Sequence, residues 1–308
     1  MWMFRVEEKG AGRRLDVVLA AAAGIARAQA RRWIDEGRVL VNARPARPGQ
    51  RVRSGDALEA TPPEAEPAHA VAEAIPLAVL YEDADIVVVD KPSGLVVHPA
   101  PGHAGGTLVN ALLHHCRDLA GVGGVLRPGI VHRLDKGTSG VMVVAKHDLA
   151  HHALAGQFKR HTIERMYRAI VRGIPGAAEG RVDRAVGRHR HDRKRMSVAA
   201  ARGRDAHTAW RVRARFARSG CAELEVRPET GRTHQIRVHL ASVGMPILGD
   251  PVYGRGALGI AGVTMERPAL HAALLGFLHP RSAKPLRFEA PVPRDMAVCL
   301  AALAERER

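Results

Sequence analysis

Two short helices followed by two short strands are predicted for residues 1–60. The apolar positions of the helices recur three or four residues apart, as on one face of a helix. These positions are Leu15, Val18 and Leu19 in the first helix and Ala26, Ala30, Trp33 and Ile34 in the second. Gly37 ends the second helix, Val39 and Val41 alternate as in a strand, and residues 54–56 predict a turn before another strand.

From Leu77 onward, strands and helices follow one another without a fixed repeat. Apolar runs predict buried strands over residues 86–89 and 141–145, and alternation with period two predicts strands over 166–172 and 222–227. Strands outnumber helices and no regular βαβ alternation is present, so we predict an α+β fold.

The same patterns predict how particular side chains are used. In the strand over residues 222–227, we expect alternate residues to face inward and outward. The inward set is Ala222, Leu224 and Val226, and the outward set is Glu223, Glu225 and Arg227. Asp148 is expected to cap a helix that begins there, and the spacing of Ile236, Leu240 and Val243 predicts a helix over residues 233–243.

The composition of the chain changes sharply near residue 61. Residues 1–60 hold 12 Lys and Arg and seven Asp and Glu, whereas residues 61–76 carry four prolines, three glutamates and no Lys or Arg. A stretch of this composition is typical of a linker. We therefore predict a small domain over residues 1–62, a linker over 63–76 and a larger domain over 77–308.

The net charge of the 308-residue chain is +16 at pH 7, which indicates an anionic polymer as its partner. The longest apolar run, residues 17–26, is too short to span a bilayer, and residues 1–9 lack the order of a signal peptide. Cys116, Cys221 and Cys299 lie far apart, as expected of reduced thiols. We expect a cytoplasmic protein with no membrane partner and no bound metal.

Common catalytic signatures do not occur in the sequence: it has no phosphate-binding glycine-rich motif, zinc-protease motif, serine-hydrolase elbow or zinc-deaminase motif. A dense polar stretch does occur over residues 129–140, and it holds Asp135 among cations and glycines directly before the strand predicted at Val141. Backbone at such a strand end can approach a ligand closely. Composition alone favours a ligand site and a solvated turn equally.

Residues 132–140 resemble the His-Arg-Leu-Asp and Thr-Ser-Gly signature of the RluA-type pseudouridine synthases, which modify uridines in ribosomal and transfer RNA. Further blocks match this family in its order. They are residues 90–99, 165–169, 188–196, 229–239, 249–254 and 270–272. Gly137 stands where the family often has an acidic residue. The match spans roughly residues 77–293.

Residues 14–56 resemble the S4 RNA-binding module, although Ala43 stands where that module often has glycine. Together, the two resemblances imply a pseudouridine synthase fold behind a small S4-like domain. That fold has a mixed, mostly antiparallel central sheet with an active-site cleft.

The resemblance also assigns the catalytic chemistry. Isomerisation breaks the N1–C1′ bond, turns the base and rejoins it through C5, so no atom is added and no cofactor is expected. Asp135 matches the covalent group, which attacks the sugar or the base or removes a sugar proton. Arg237 matches its partner, because a planar guanidinium orients a carboxylate better than lysine does. Tyr167 matches the tyrosine that packs on uracil, whereas its spacing alone favours a core residue.

Several basic residues of the family blocks are expected to contact RNA. Arg133 resembles the arginine that enters the RNA helix where the target base leaves, and a flipped base is required because aromatic residues are few. His132 precedes Arg133 in the same signature, and Arg232 lies in the block over residues 229–239. We expect both to lie at the RNA-binding surface.

Two further groups of arginines are expected to bind phosphates. In the S4-like module they are Arg27, Arg31 and Arg38. Residues 181–218 carry 13 Lys and Arg against three Asp, and Arg193 and Arg195 lie in the middle of this basic tract. Fixed cations of this kind supply affinity for RNA that does not depend on sequence.

The S4-like module in front of the catalytic blocks implies large-subunit (23S) ribosomal RNA as the substrate. Transfer RNA stays open as an alternative substrate, and a non-catalytic RNA-binding factor of ribosome assembly stays open as an alternative function. The combination of Asp135, Tyr167 and Arg237 disfavours the non-catalytic factor, which has no need of it. We expect RNA as the partner, no DNA partner and a monomer.

Overall fold

The computed structural model describes residues 2–23, 27–47, 49–61, 71–99, 105–116, 119, 129–190, 192, 195–200, 203–254, 259–260 and 262–308. Its contacts divide the chain into two units, Met1–Ala68 and His69–Arg308. The division falls inside the stretch predicted as a linker, most of which lies outside the described residues. The boundaries at residues 62 and 77 therefore stay predictions.

The first unit packs two helices on a four-stranded antiparallel sheet, whose strand order is β1-β4-β2-β3. Its elements are β1 Trp2–Arg5, α1 Leu15–Ala23, α2 Arg27–Asp35, β2 Val39–Val41, β3 Arg44–Pro45 and β4 Ala57–Ala60. Leu15 and Leu19 of α1 and Trp33 and Ile34 of α2 are buried in one core, as their spacing predicts. Strands β1 and β3 were not predicted from the sequence.

The second unit is built on one large mixed sheet. Its elements are β5 Ala78–Glu82, β6 Ile86–Lys91, α3 Leu108–His115, β7 Ser139–Ala145, α4 Asp148–Arg160, β8 Glu164–Arg172, β9 Glu179–Asp183, β10 Gly187–Arg188, β11 Met196–Ser197, β12 His207–Phe216, β13 Cys221–Pro228, α5 Gln235–Ser242, β14 Gly259–Ile260, β15 Val263–Thr264, β16 Leu270–Leu278, β17 Pro285–Glu289 and α6 Arg294–Glu307.

Within the described residues, nine strands form this sheet in the order β5-β6-β7-β16-β8-β13-β12-β9, with β17 paired to β16. Only β7 and β16 run parallel; the other pairs are antiparallel. The predicted α+β class and the mostly antiparallel sheet are confirmed. None of the helices in the described ranges is long and apolar enough to cross a membrane.

Two predictions of side-chain use are wrong. The residue that caps α4 is His147, whose Nδ1 accepts a hydrogen bond from the Ala150 N–H at 3.3 Å, and Asp148 lies in the first turn. Glu223 is buried, and its carboxylate forms ion pairs with Arg168 and Arg213 on the two neighbouring strands. Its charge is compensated across the sheet, which hydrophobic alternation along one strand cannot reveal.

The backbone geometry at Gly140 explains why the Thr-Ser-Gly signature ends in glycine. Its φ is 119°, and a Cβ built on it would lie 2.1 Å from the carbonyl oxygen of Ala272 on the parallel strand β16. No side chain fits that approach. The glycine therefore permits the one parallel pairing, which covers Ser139 and Gly140 opposite His271 and Ala272.

Candidate active site

A cleft of about 570 Å³ lies in the second unit, over the face of the sheet near β7, β8 and β16. It brings together residues that the sequence distributes over more than one hundred positions. The predicted site residues that line it are His132, Arg133, Asp135, Tyr167, Arg232 and Arg237. The size suits a single nucleotide rather than a duplex.

The loop that carries Asp135 is fixed to β7 by hydrogen bonds. Beyond the short parallel pairing with β16, the N–H groups of Val143 and Ala145 donate to His132 Nε2 at 3.1 Å and to the Gly129 carbonyl at 2.9 Å. The N–H of Thr138 donates to the carbonyl of Asp135 at 3.0 Å and closes a turn. Asp135 is therefore held on backbone that the sheet itself anchors.

Arg237 joins two carboxylates. Its Nε and Nη2 donate to Asp250 Oδ2 at 2.7 Å and Oδ1 at 2.9 Å, and its Nη1 donates to Asp135 Oδ2 at 3.1 Å. Burial opposes the charge of Arg237, but Asp250 and then Asp135 outweigh it and raise the pKa of the guanidinium. The predicted contact of Arg237 with Asp135 is present, and Asp250 is its principal partner.

Asp250 is fully buried, yet it is satisfied on both oxygens. Oδ1 also accepts hydrogen bonds from the N–H groups of Val252 and Tyr253, at 2.8 and 3.0 Å. Burial alone would raise the pKa of Asp250, but Arg237 lowers it below the ordinary value. Asp250 is thus a charged anchor that fixes the plane of the Arg237 guanidinium.

Helix α5 positions Arg237 through Gln235. The amide oxygen of Gln235 accepts from Thr230 Oγ1 at 2.8 Å and from the Arg232 N–H at 3.0 Å, while its nitrogen donates to the His207 carbonyl at 3.0 Å. These bonds attach the loop before α5 to strand β12. Because Gln235 and Arg237 are close in sequence, the same bonds limit the movement of Arg237.

His234 also faces Asp135. Its Nε2 lies 3.8 Å from Asp135 Oδ2, and its Nδ1 lies 3.1 Å from the hydroxyl of Tyr253. Burial lowers the pKa of His234, and the charge of Asp135 only partly offsets this effect. The imidazole is therefore neutral at neutral pH.

Tyr167 lies on β8 between Val226 of β13 and Ala272 of β16, and its ring borders two hydrophobic clusters while lining the cleft. The two roles considered from sequence, core residue and cleft residue, are thus combined. Burial raises the pKa of the Tyr167 phenol, so the hydroxyl is protonated at neutral pH.

His132 lies in the cleft wall, where the fold already uses its ring. The ring stacks on Phe158 at a centroid distance of 4.6 Å and an angle of 22°, and Nε2 accepts the bond from Val143 described above. Burial and then the charge of Arg165 lower the pKa of His132 to about 3. A neutral imidazole that stacks on Phe158 and accepts this bond supports the loop, and this geometry favours a structural role over the predicted contact with RNA.

Lys91 is a buried cation beneath the same loop. Its Nζ donates to the carbonyls of Pro92 and Leu95 at 2.8 and 2.9 Å, and the N–H of Gly94 donates to the Lys136 carbonyl at 2.8 Å. Lys91 therefore shapes the turn that supports the Asp135 loop. Burial and then the charge of Arg267 lower the pKa of Lys91 to about 8.

The buried ammonium predicts a pH-dependent stability. The folded chain binds this proton more weakly than the unfolded chain, so the charge costs stability below about pH 8, and the cost disappears as the pH rises to 10.5. The unfolding free energy of the wild type should therefore rise relative to Lys91→Met by roughly 3 kcal/mol across this window. Denaturant titrations at several pH values measure the difference. Lys284→Met, at an exposed lysine, is the control, and a difference that stays flat contradicts the prediction.

The arginines predicted to bind RNA in the first unit all pair with acidic residues of that unit. Arg27 donates to the buried Asp16 at 3.0 Å, Arg31 lies 3.6 Å from Asp35, and Arg38 lies 2.9 Å from Glu36. Each of the three arginine side chains keeps more than a third of its surface exposed. Contact with phosphate therefore requires that exposed part and stays a prediction.

Some arginines of the basic tract already pair with carboxylates of the protein, so fewer are available for phosphates than the composition suggests. Arg181 and Arg211 pair with Glu229 and Glu179, two carboxylates that lie outside the tract. Arg195 is exposed, and its guanidinium carbon lies 5.7 Å from the centre of the Tyr253 ring. Arg193 lies outside the described residues. The phosphate contacts of Arg193 and Arg195 stay predictions.

Two groups of potential metal ligands occur in the described part of the chain, and neither lines the cleft. They are Glu82 with His115 and Cys116, and Asp83 with Asp85 and His279. Each group already has a basic partner: Lys146 contacts Glu82 at 2.7 Å, and Arg281 contacts Asp85 at 2.6 Å. The charges of Lys146 and Arg281 therefore compensate one carboxylate in each group.

Comparisons with known proteins identify the class to which this fold and cleft belong. A sequence profile described as RNA pseudouridylate synthase matches residues 85–242, and an S4 domain profile matches residues 13–58. The solved structure of human RNA Pseudouridylate Synthase Domain Containing 4 is similar, with a TM-score of 0.59 and 26% identity. This similarity covers 74% of the present chain and 93% of the human one.

Curated relatives match most of the length of the chain. The uncharacterised RNA pseudouridine synthase YlyB of Bacillus subtilis is 44% identical over 291 residues, which cover 94% of each protein. Ribosomal large subunit pseudouridine synthase D of Xanthomonas campestris is 46% identical over 311 residues, with 97% and 92% covered, and that of Zymomonas mobilis is 48% identical over 255 residues, with 81% and 80% covered.

The chain therefore belongs to the RNA pseudouridylate synthase family. It is an RNA pseudouridine synthase with an amino-terminal S4 domain, and RNA is its partner. The resemblance found in its sequence motifs is confirmed, and the enzyme is favoured over the non-catalytic factor.

Proposed function

We propose that the protein isomerises uridines of large-subunit ribosomal RNA in the cleft, with Asp135 as the covalent group. The two relatives named ribosomal large subunit pseudouridine synthase D support this substrate. The observation that carries the proposed chemistry is the Asp135 carboxylate, which lines the cleft and is held through one oxygen by Arg237 at 3.1 Å.

The hydrogen bonding of Asp135 suits attack on a bound nucleotide. Oδ2 accepts a hydrogen bond from Arg237, while Oδ1 makes no hydrogen bond among the described residues. Its side chain keeps 20% of its surface exposed, so the substrate can approach. The cation lies beside the carboxylate and fixes its orientation, so the nucleophile is already oriented when the base arrives.

The net reaction moves one bond and one proton, and the bond that Asp135 forms to the nucleotide breaks again before the product leaves. The N1–C1′ bond breaks, the base turns in the cleft, and a C5–C1′ bond forms; C5 loses a proton and N1 gains one. Tyr167 supplies a flat surface that keeps the detached base in place while it turns. Its phenol is protonated at neutral pH, so packing is its resting contribution.

Arg133 and Arg232 are the candidates for contacts outside the reacting centre. Arg133 is exposed at the edge of the cleft, and Arg232 is half-buried with its Nε 3.1 Å from the Asp205 carbonyl. A uridine must leave its stack to reach Asp135, at a cost of about a few kcal/mol that is smaller in a loop than in a duplex. A guanidinium that takes the place of the departed base offsets part of this cost.

The substrate is tested by mapping pseudouridine at single-base resolution. Transcripts of large-subunit ribosomal RNA and a pool of unmodified transfer RNA are incubated separately with the protein, and sites lost in a deletion strain are mapped in parallel. We expect new pseudouridine in the ribosomal transcript at the sites lost in the strain. Modification of transfer RNA alone would overturn the proposed substrate.

Separation of the two units gives a further prediction. A chain of residues 69–308 should unfold cooperatively and isomerise uridine, because the cleft and its supports all lie in the second unit. It should bind RNA more weakly, because the first unit and its exposed arginines are removed. Filter binding at several salt concentrations measures the affinity and its salt slope, about 0.7 to 0.9 per phosphate neutralised. Loss of cooperative unfolding would show that the second unit depends on the first.

A further inference from the structure

Arg165 is a half-buried cation in the cleft wall. It lies two residues from Tyr167 on β8, so both side chains lie on the same face of the strand. Its Nη2 donates to the Glu229 carbonyl at 2.9 Å, and a Cβ on Gly231 would lie 3.3 Å from its Nη1. The guanidinium is thus packed against the loop that follows β13.

Part of the hydrogen-bonding capacity of Arg165 is unused. Its Nε is buried and has no hydrogen-bond partner within the described chain. A buried donor without an acceptor costs free energy comparable to a lost hydrogen bond. In the wall of a substrate cleft, such a donor points to an acceptor that arrives with the ligand.

The charge of Arg165 is not compensated by the chain either. Two acidic residues adjoin it, Glu164 in sequence and Glu229 through its backbone carbonyl, and the side chains of both pair elsewhere. Glu229 pairs with Arg181, and Glu164 pairs with Arg227 at 3.2 Å and Arg287 at 3.4 Å. Among the residues that the structure describes, no carboxylate oxygen lies within 4.0 Å of the Arg165 guanidinium. This is the contrast with Arg237, which has two carboxylate partners.

The neighbours of Arg165 favour an anion over a neutral acceptor. Lys159, from the end of α4, lines the same cleft and adds a second positive charge to its wall. A uracil carbonyl could accept a hydrogen bond, but it would leave the charge uncompensated. A phosphate accepts two hydrogen bonds from a guanidinium and neutralises it.

We propose that Arg165 binds a backbone phosphate next to the target uridine and so positions the nucleotide for Asp135. The inference rests on the proposed function, since it takes a uridine of RNA in the cleft as the ligand. Arg165 is a positioning residue and takes no part in bond making.

A double-mutant cycle tests the proposal. Synthetic stem-loop RNAs carry a uridine that the wild-type protein modifies in the ribosomal transcript, with a neutral methylphosphonate in place of one flanking phosphate at a time. At one position, the substitution should weaken wild-type binding by about ten- to a hundred-fold, and Arg165→Gln should weaken binding of the unmodified RNA by a similar factor. The two changes together should cost no more than either one.

Controls separate this result from a structural effect. Arg165→Lys should keep part of the affinity, and the melting temperatures of both variants should stay near that of the wild type. Arg294→Gln removes one exposed arginine outside the cleft and should show additive penalties with every methylphosphonate. Additive penalties for Arg165→Gln at every position would overturn the phosphate assignment. If the wild type modifies no uridine, the proposed function fails instead.

Discussion

Replacing Asp135 by Asn is expected to abolish isomerisation while leaving the fold intact. Asparagine keeps the shape of the side chain and its contact with Arg237, but it removes the charge and the covalent chemistry. Asp250 still compensates Arg237, so the variant should melt close to the wild type. Single-turnover assays with excess enzyme, read as pseudouridine formed per RNA, measure the rate, and filter binding measures the affinity.

The matched control for this variant is Asp250→Asn, at the other carboxylate of the same guanidinium. It should destabilise the protein, because a buried ion pair loses its charge, yet it leaves the Asp135 carboxylate in the cleft. Measurable turnover by the Asp135→Asn protein, after contamination with wild-type enzyme is excluded, would remove Asp135 from the role of covalent group.

Arg237 is expected to give the second large effect, on stability as well as on rate. Arg237→Ala leaves the buried Asp250 and the partly buried Asp135 without their counter-ion, which should cost about 3 to 5 kcal/mol of unfolding free energy. Arg237→Lys keeps the charge but cannot hold both carboxylates with a fixed fork. We expect it to fold and to lose about a hundred-fold or more in single-turnover rate.

Arg232 supplies the comparison, because it lines the same cleft but its guanidinium hydrogen-bonds to the Asp205 carbonyl and to no carboxylate among the described residues. Arg232→Lys should change affinity for RNA and leave the rate at saturating RNA nearly intact. The reverse pattern, a fast Arg237→Lys protein and a slow Arg232→Lys protein, would make Arg232 the partner of the catalytic carboxylate.

Local sequence patterns predicted most of the elements that build the cleft. The apolar run before Lys91, the strand after Gly140 and the helix that carries Arg237 all lie within two residues of their predicted bounds. These elements are dictated by local periodicity and by glycines, which act over a few residues. Strands β1 and β3 were missed because they are short and exposed, so their pairing partners decide them.

The supporting residues of the site were harder to predict than its centre. Asp250, Lys91, His234 and Arg165 each stand in a family block, and membership of those blocks was the only signal available. Nothing in a short polar motif shows that Asp250 takes two bonds from Arg237, or that Glu164 and Glu229 are unavailable to Arg165. These facts are pairings between residues far apart in the chain.

The class of fold, the family and the residue types of the reaction could all be predicted from the amino-acid order, because periodicity and motif order are local features of the chain. Which charged side chains pair with one another could be seen only in the folded protein. Ion pairing depends on distances of a few ångströms between residues far apart in the chain, 102 positions for Asp135 and Arg237, and on burial, which raises the strength of each pair. Only folding brings those side chains within reach of one another. In the folded protein Arg237 pairs with Asp135, whereas Arg165 has no carboxylate partner among the described residues, and we propose that an RNA phosphate neutralises it.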